Sequence, residues 1–534
     1  MLIELDVSHF NLVISVLGGF VLLFGLFSYV IKERLYLSEA LVALIVGIAF
    51  GPRGAGLITP DDWVGETEAV TLAFARLVLG VQLVLAGVQL PSKYLQRQWK
   101  SLFMLLIPIM SGMWIISSTI VYLLVPGLSY LQALCIGACV TPTDPVLSNS
   151  IVKGKFAENY VPPHLRNIIV GESGANDGFG YPFLFIAIYS MNVDITRVKP
   201  SSTSFCLYGA LVGWLAKELL HVAEAKKWID KESFLVFSLA LALFILGTCG
   251  MLGSDDLLSC FVAGNTFTWD DWFRKETEDE SLQSSVDMLL NISIFVYIGA
   301  ILPWDLFVAP VQLWRYLVLS ALILIFRRLP LIMAFRRFIP AIMTNREGLF
   351  AGHFGPIGVG AIFYAGIALE QFTESWAREI LAPVVYFIVL SSVLIHGITV
   401  PVIKLGSRIE FSTIDFRNFT ISRASTFQVS STNIAARVES DTTLAARVRQ
   451  SDIESQIRKP LTVQIQDPRP YSGGTLEQAP SASQLPHTSP PENPPEAPSV
   501  QPRNRNLGNL RAYKEGDQTI IEDHDGGHAK VYDA

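Results

Sequence analysis

The sequence predicts an all-α polytopic membrane protein of about thirteen transmembrane helices, with twelve also compatible, followed by a disordered C-terminal tail. Three observations carry that reading. Of 534 residues, 51% are apolar and only 16% charged, against about 25% charged in ordinary soluble proteins. Mean hydropathy is +0.42 in spite of a long polar tail. The apolar surplus is therefore concentrated in residues 1–404, and its destination is the hydrocarbon of a bilayer. Finally, apolar runs long enough for helical spans follow one another with short polar loops between them.

In chain order the runs lie near 11–31, 38–52, 69–90, 102–125, 131–151, 165–190, 203–221, 234–252, 256–269, 283–303, 312–334, 348–370 and 380–403. The second and ninth are short for a crossing, which keeps twelve spans open. With the N-terminus outside and the spans alternating, inner loops hold sixteen Lys/Arg and outer loops five, the asymmetry of the positive-inside rule. That orientation places the tail in the cytoplasm. The opening MLIELDVSHF has no basic n-region, so the first run reads as an uncleaved signal anchor. Five cysteines lie within apolar runs without CxxC spacing, which suggests neither disulfides nor a zinc site. A net charge of −7 and a pI near 5.7 speak against a nucleic-acid partner.

Three domains follow: a transmembrane exchanger domain over 1–404, a juxtamembrane amphipathic segment over 405–424, and a disordered cytoplasmic tail over 425–534. The segment LGSRIEFSTIDFRNFTISR mixes apolar and basic residues, as an interfacial stretch or a solvated linker would. The tail is rich in Ser, Thr, Gln and Pro, and APSASQLPHTSPPENPPEAPSVQP can build no core.

Function is read from polar groups at membrane depth, where each charge costs at least ~2.5–3.5 kcal/mol on insertion scales. The inventory is Arg76, Asp144, Glu172, Asp177, Asp255, Asp256, Asp287, Arg327, Arg328 and His353. In the fifth run, TPTDP places Pro142 and Pro145 three residues apart, so the helix opens around Thr143 and Asp144. In the sixth run, GESGANDGFGYP puts Glu172 with Asn176, and Ser173 with Asp177, at i,i+4. Carboxylates and freed carbonyls are hard ligands for an alkali cation, and protons compete for the same oxygens. That competition is what proton-coupled exchange needs. The twelfth run, GHFGPIGVGAIFYAG, is interrupted as well. Breaks seven spans apart point to two inverted repeats with crossed broken helices. The crossed ends call for charge compensation, for which Arg327 and Arg328 are candidates, one of them pairing with Glu172. Asp255 and Asp256 read as a helix start or as an outer vestibule, His353 as a pH-sensing or an interior hydrogen-bonded group, and Arg76 as a partner for Asp287 or another acid.

TPTDP, GESGANDG and FGPIGVGAIFY together resemble the monovalent cation/proton antiporter superfamily, in particular the fungal plasma-membrane sodium/proton antiporters. The resemblance covers 1–404. It implies a core domain moving against a scaffold domain, with Asp177 as the main ion- and proton-carrying carboxylate. Asp144, Ser173, Glu172 and the Thr143 carbonyl would complete the cation site, and Asn176 would hold the crossed helices together. It further implies a role in transport for Asp255 and Asp256, a plasma-membrane location and a homodimer. One departure is Ile357, which stands where many bacterial and animal relatives have arginine. The function expected is export of Na+, with Li+ and K+ as further cargo, against H+, for salt tolerance and cation homeostasis. No cofactor is expected, and the tail is expected to bind cytoplasmic regulators. Competing readings are a K+-preferring exchanger, a cation channel or sensor, and an intramembrane aspartyl protease; the last lacks its GxGD signature.

Overall fold

A computed structural model describes residues 8–63, 66–145, 147–148, 161–191, 202–252, 255–309, 311–372 and 375–408, with three strands between 510 and 533. The expected juxtamembrane segment beyond Arg408 and most of the tail lie outside the described residues. Each of the thirteen apolar runs coincides with a helix or an interrupted helix.

The helices are α1 (His9–Tyr29), α2 (Glu39–Phe50), α3 (Thr67–Gln89), α4 (Trp99–Leu124), α5 (Tyr130–Cys139), α6 (Pro163–Met191), α7 (Ser202–Ala225), α8 (Lys231–Met251), α9 (Asp256–Phe267) and α10 (Leu282–Ala300). There follow α11 (Leu313–Phe326, resuming as Leu329–Phe335), α12 (Asn345–His353), α13 (Val359–Leu369) and α14 (Ser375–Arg408). Among the described residues eight helices are long and apolar enough to cross a membrane; α2, α5 and α13 are shorter apolar helices. Shortness has a different cause in each. In α2 the run ends at Gly51, whereas α5 and α13 are halves of interrupted spans. Pro108 is absorbed within α4 by a π-helical turn over Leu105–Ile109, which keeps that span continuous.

The helices pack in two groups. In one, α2 lies along α10, and α9 is wedged between α3 and α7 with α8 against both α3 and α9. In the other, α5 is surrounded by α4, α6 and α13, while α11 packs on α4 and α12. The groups meet where α6 lies on α9 and α13 on α3, and α14 packs against α13, α11, α5 and α2.

Three strands are an addition to the all-helical expectation: β1 (Leu510–Glu515), β2 (Gln518–Asp523) and β3 (Lys530–Asp533), in that order in one sheet. β2 and β3 are antiparallel, with Gln518 opposite Asp533. The signal for them was present. β-branched and aromatic residues stand in RAYKE and QTIIED, with Gly-Asp between them and Gly-Gly before the third strand as turn signals.

Candidate functional site

The site begins with what two prolines do to α5. Helical bonding stops at Cys139 and resumes at Pro145, where a proline is tolerated because first-turn N–H groups have no partner anyway. Asp144 precedes it as the N-cap, its Oδ1 accepting from Leu147 N at 3.2 Å. Its Oδ2 accepts from Val359 N at 2.6 Å, the first amide of α13. Asp144 N donates to Pro356 O at 2.9 Å. One carboxylate thus closes the N-terminal ends of two half-helices from opposite halves of the chain, where the positive ends of their dipoles lie.

The C-terminal ends are closed by Arg327. Its guanidinium donates to the carbonyls of Val140, Thr141 (3.1 Å) and Pro142 (3.3 Å) from the α5 break, and to Gly355 O (2.5 Å) from the α12–α13 break. The neighbouring Arg328 forms a two-pronged pair with Glu172, at 2.5 and 2.7 Å, and its Nε reaches Ala351 O at 2.9 Å. Both arginines are buried. Adjacent residues of an unbroken helix point about 100° apart. Here α11 is interrupted between Phe326 and Leu329, because Pro330 has no N–H for the Phe326 carbonyl. That interruption lets both guanidinium groups turn inward. The two arginines therefore divide the work expected of them, helix-end compensation for Arg327 and the ion pair for Arg328.

Asn176 ties α6 to the break: its amide donates to Thr143 Oγ1 at 2.8 Å and its carbonyl accepts from Thr143 N at 3.1 Å. Ser173 donates into its own helix, to Ile169 O at 2.9 Å, which leaves its lone pairs to accept. Asp177 differs from all of these. It is fully buried, and neither carboxylate oxygen has a hydrogen-bond partner among the described residues. Gly360 of α13 allows this approach, since a Cβ there would stand 2.6 Å from Asp177 Oδ1. At Gly358 a Cβ would strike the Asp144 carboxylate. The glycines of the twelfth run are thus required by two acids of the fifth and sixth.

Several contributors were not singled out from sequence. Tyr364 donates its hydroxyl to Asp177 O, with Gly178 O at 3.4 Å; Pro182, four residues on, cannot donate to the Gly178 carbonyl. Ser392 accepts from Ile357 N at 2.7 Å, and His396 contacts His353 O at 3.0 Å. These two side chains of α14 hold the backbone of the second break. The polar i,i+4 pair Ser392–His396 in an apolar run was the available signal. His164 lies 3.4 Å from Glu347, which also closes a capping box with Thr344 at the start of α12.

Asp255 is the N-cap of α9, its Oδ1 accepting from Leu258 N at 3.1 Å, as one of the two sequence readings had it. Asp256 pairs with Arg76, while Asp287 accepts from Gln82 at 3.3 Å; Arg76 has therefore chosen Asp256. Both Asp255 and Asp256 are buried. His353 approaches Thr399 Oγ1 at 3.3 Å and is an interior hydrogen-bonded group.

Two interrupted helices crossing inside a helical bundle, with a buried carboxylate that has no partner among the described residues beside the crossing, have the architecture of inverted-repeat secondary transporters. Comparison with known proteins narrows the class. A family model described as "Sodium/hydrogen exchanger, transmembrane" matches residues 19–405, and the chain belongs to that family. It is 42% identical over 445 residues to a "Probable Na(+)/H(+) antiporter" of Schizosaccharomyces pombe, covering 77% of this chain and 58% of that one. It is 38% identical over 448 residues to a Na(+)/H(+) antiporter of Saccharomyces cerevisiae, covering 77% and 45%. The chain thus spans about half the length of these curated relatives. In fold it is similar to the sodium proton antiporter MjNhaP1 from Methanocaldococcus jannaschii, with a TM-score of 0.54, 18% identity, and 73% of this chain and 100% of that one covered.

Proposed function

We propose that this protein is a secondary antiporter that exports Na+ in exchange for H+ through Asp177. The observation that carries the reading is the pair of unpartnered Asp177 oxygens, fully buried beside the crossing. A buried carboxylate without a partner is strongly disfavoured as an anion. It takes up a proton or a cation, one excluding the other. The surrounding acids are already engaged, Asp144 by backbone amides and Glu172 by Arg328. Asp177 is therefore the group free to exchange its occupant. Ser173 and the Thr143 carbonyl are the candidates for completing a cation's oxygen shell, with Asp144 as a fixed charge alongside.

Li+ and K+ are further cargo in this reading, and salt tolerance at the plasma membrane is the physiological role. Residues 1–404 form the exchanger. The basic inner loops favour a cytoplasmic side for the tail 425–534, where it would meet regulators. A homodimer is the working unit. Reconstituted protein should acidify or alkalinise vesicles on addition of Na+, Li+ or K+, with saturating flux that depends on protons across the membrane. Flux that is linear in cation concentration and indifferent to opposite-side pH would instead identify a channel. Repeating the assay with an imposed voltage separates electroneutral from electrogenic exchange.

A further inference from the structure

We infer that Asn265 is a transient binding station for the partly hydrated cation, on the route between Asp177 and the face from which α6 starts. The inference rests on the exchange reading above and adds a residue to it.

Asn265 is 1% exposed, and among the described residues neither its amide nitrogen nor its carbonyl oxygen has a hydrogen-bond partner. Leaving such groups unmet forfeits their hydration without return, so an asparagine is a poor choice for a site that only packs. Its position says what it serves. On α9, Leu258 lies against Gly178 of α6, and Phe261 puts its ring on Gly174. Asn265 follows Leu258 by seven residues and Phe261 by four, on the same face of the helix. α6 and α9 run antiparallel along this seam, so Asn265 comes level with Gly171, about 9 Å along the axis from Asp177 at 1.5 Å per residue. There the seam is walled by Tyr94 and Leu90, which a Cβ on Gly171 would meet at 3.0 and 3.7 Å. Gly87 of α3 closes the third side, a Cβ there falling 2.8 Å from Asn265 N.

Other buried oxygens without a partner among the described residues lie along the same seam, those of Asp177 midway and Asp255 Oδ2 and Asp256 Oδ1 at the far end of α9. Asn265 is the neutral member of the row. Its carbonyl is a hard ligand for an alkali ion and its NH2 meets a hydration water, so it replaces part of the shell without holding the ion as a charge would. The charge distribution of the loops makes this the cytoplasmic approach.

The test uses the full chain in right-side-out and inside-out membrane vesicles, with Na+-driven proton flux as the readout. Asn265→Leu should raise the KM for Na+ presented at the inner face about tenfold and leave the outer-face KM within about twofold. Asn265→Asp should restore the inner-face KM or lower it. Should the leucine variant fail to fold, Asn265→Ala gives the same readout with less volume. An unchanged inner-face KM, or an equal rise at both faces, overturns the station. Asp177→Asn run in parallel keeps the two claims apart, since flux surviving in that variant overturns the exchange reading beneath.

Discussion

At the crossing, the backbone groups released by two helix breaks are answered by side chains: Arg327 at the carbonyl ends, Asp144 at the amide ends, and Asn176 and Ser392 between them. In the α2–α10 pair no helix breaks, and contact is made backbone to backbone. A Cβ on Gly47 would lie 2.8 Å from Val296 C, and one on Gly299 2.8 Å from Ile48 N. Both regions are tightly packed. The first depends on charges that have somewhere else to go, whereas the second depends only on missing methyl groups. A region of the former kind can change its hydrogen bonds as an ion or proton arrives. The latter can only stay or separate. The contrast is what a core moving against a scaffold, as the resemblance implies, would need.

The comparison is broken hardest by removing a charge from the crossing. Arg328→Met strands Glu172 as a buried anion and should cost about 3–5 kcal/mol of stability, read as a lowered Tm of purified protein. Adding Glu172→Gln to the same chain should return much of that loss; a double variant no more stable than the single one would show that the pair is not the cause. Next comes Asp144→Asn, which keeps volume and one acceptor but turns an NH2 toward an amide it should accept from. About 1–3 kcal/mol is expected for the unmet bond, together with loss of flux as the two N-terminal ends drift apart.

In the scaffold, Gly47→Ala should cost stability through overpacking, about 1–3 kcal/mol, while KM for Na+ stays at the wild-type value. A changed KM with unchanged Tm would erase the distinction drawn between the regions. The smallest effect belongs to Asp230, the exposed N-cap of α8, whose Oδ1 accepts from Ser233 N at 2.7 Å. Hydrogen bonds from Ser233 hold its carboxyl below the usual range. A lowered folded pKa means that the contribution is present above the unfolded value, about 3.9, and fades as pH falls through the folded one. Asp230→Ala should melt slightly below wild type at neutral pH, and the gap should close in acid with flux untouched throughout.

Much of this was legible in the sequence because the physics is local. Span positions follow from apolar run length, and the breaks follow from Pro142, Pro145 and Pro356. The need for an arginine at crossed helix ends follows from dipoles. What sequence left open was which of two neighbours would do which job. Arg327 and Arg328 are separated by a break that Pro330 imposes, so helical periodicity misleads there. Arg76 chose Asp256 over Asp287 for reasons of packing between distant helices, which no spacing encodes. Ser392, His396 and Tyr364 lie in apolar runs where a single polar residue reads as packing. Their work on the backbone of α6 and of the α12–α13 break becomes visible only when those elements meet.

The central claim is that Asp177, alone among the acids at the crossing, is free to trade a proton for a cation. Asp177→Asn keeps the shape of the side chain and removes its charge. In proteoliposomes holding equal amounts of folded protein, Na+-driven proton flux should fall to the level of protein-free vesicles while Tm holds or rises, because a buried unpaired charge has been removed. Flux at the wild-type rate from that variant would contradict the account.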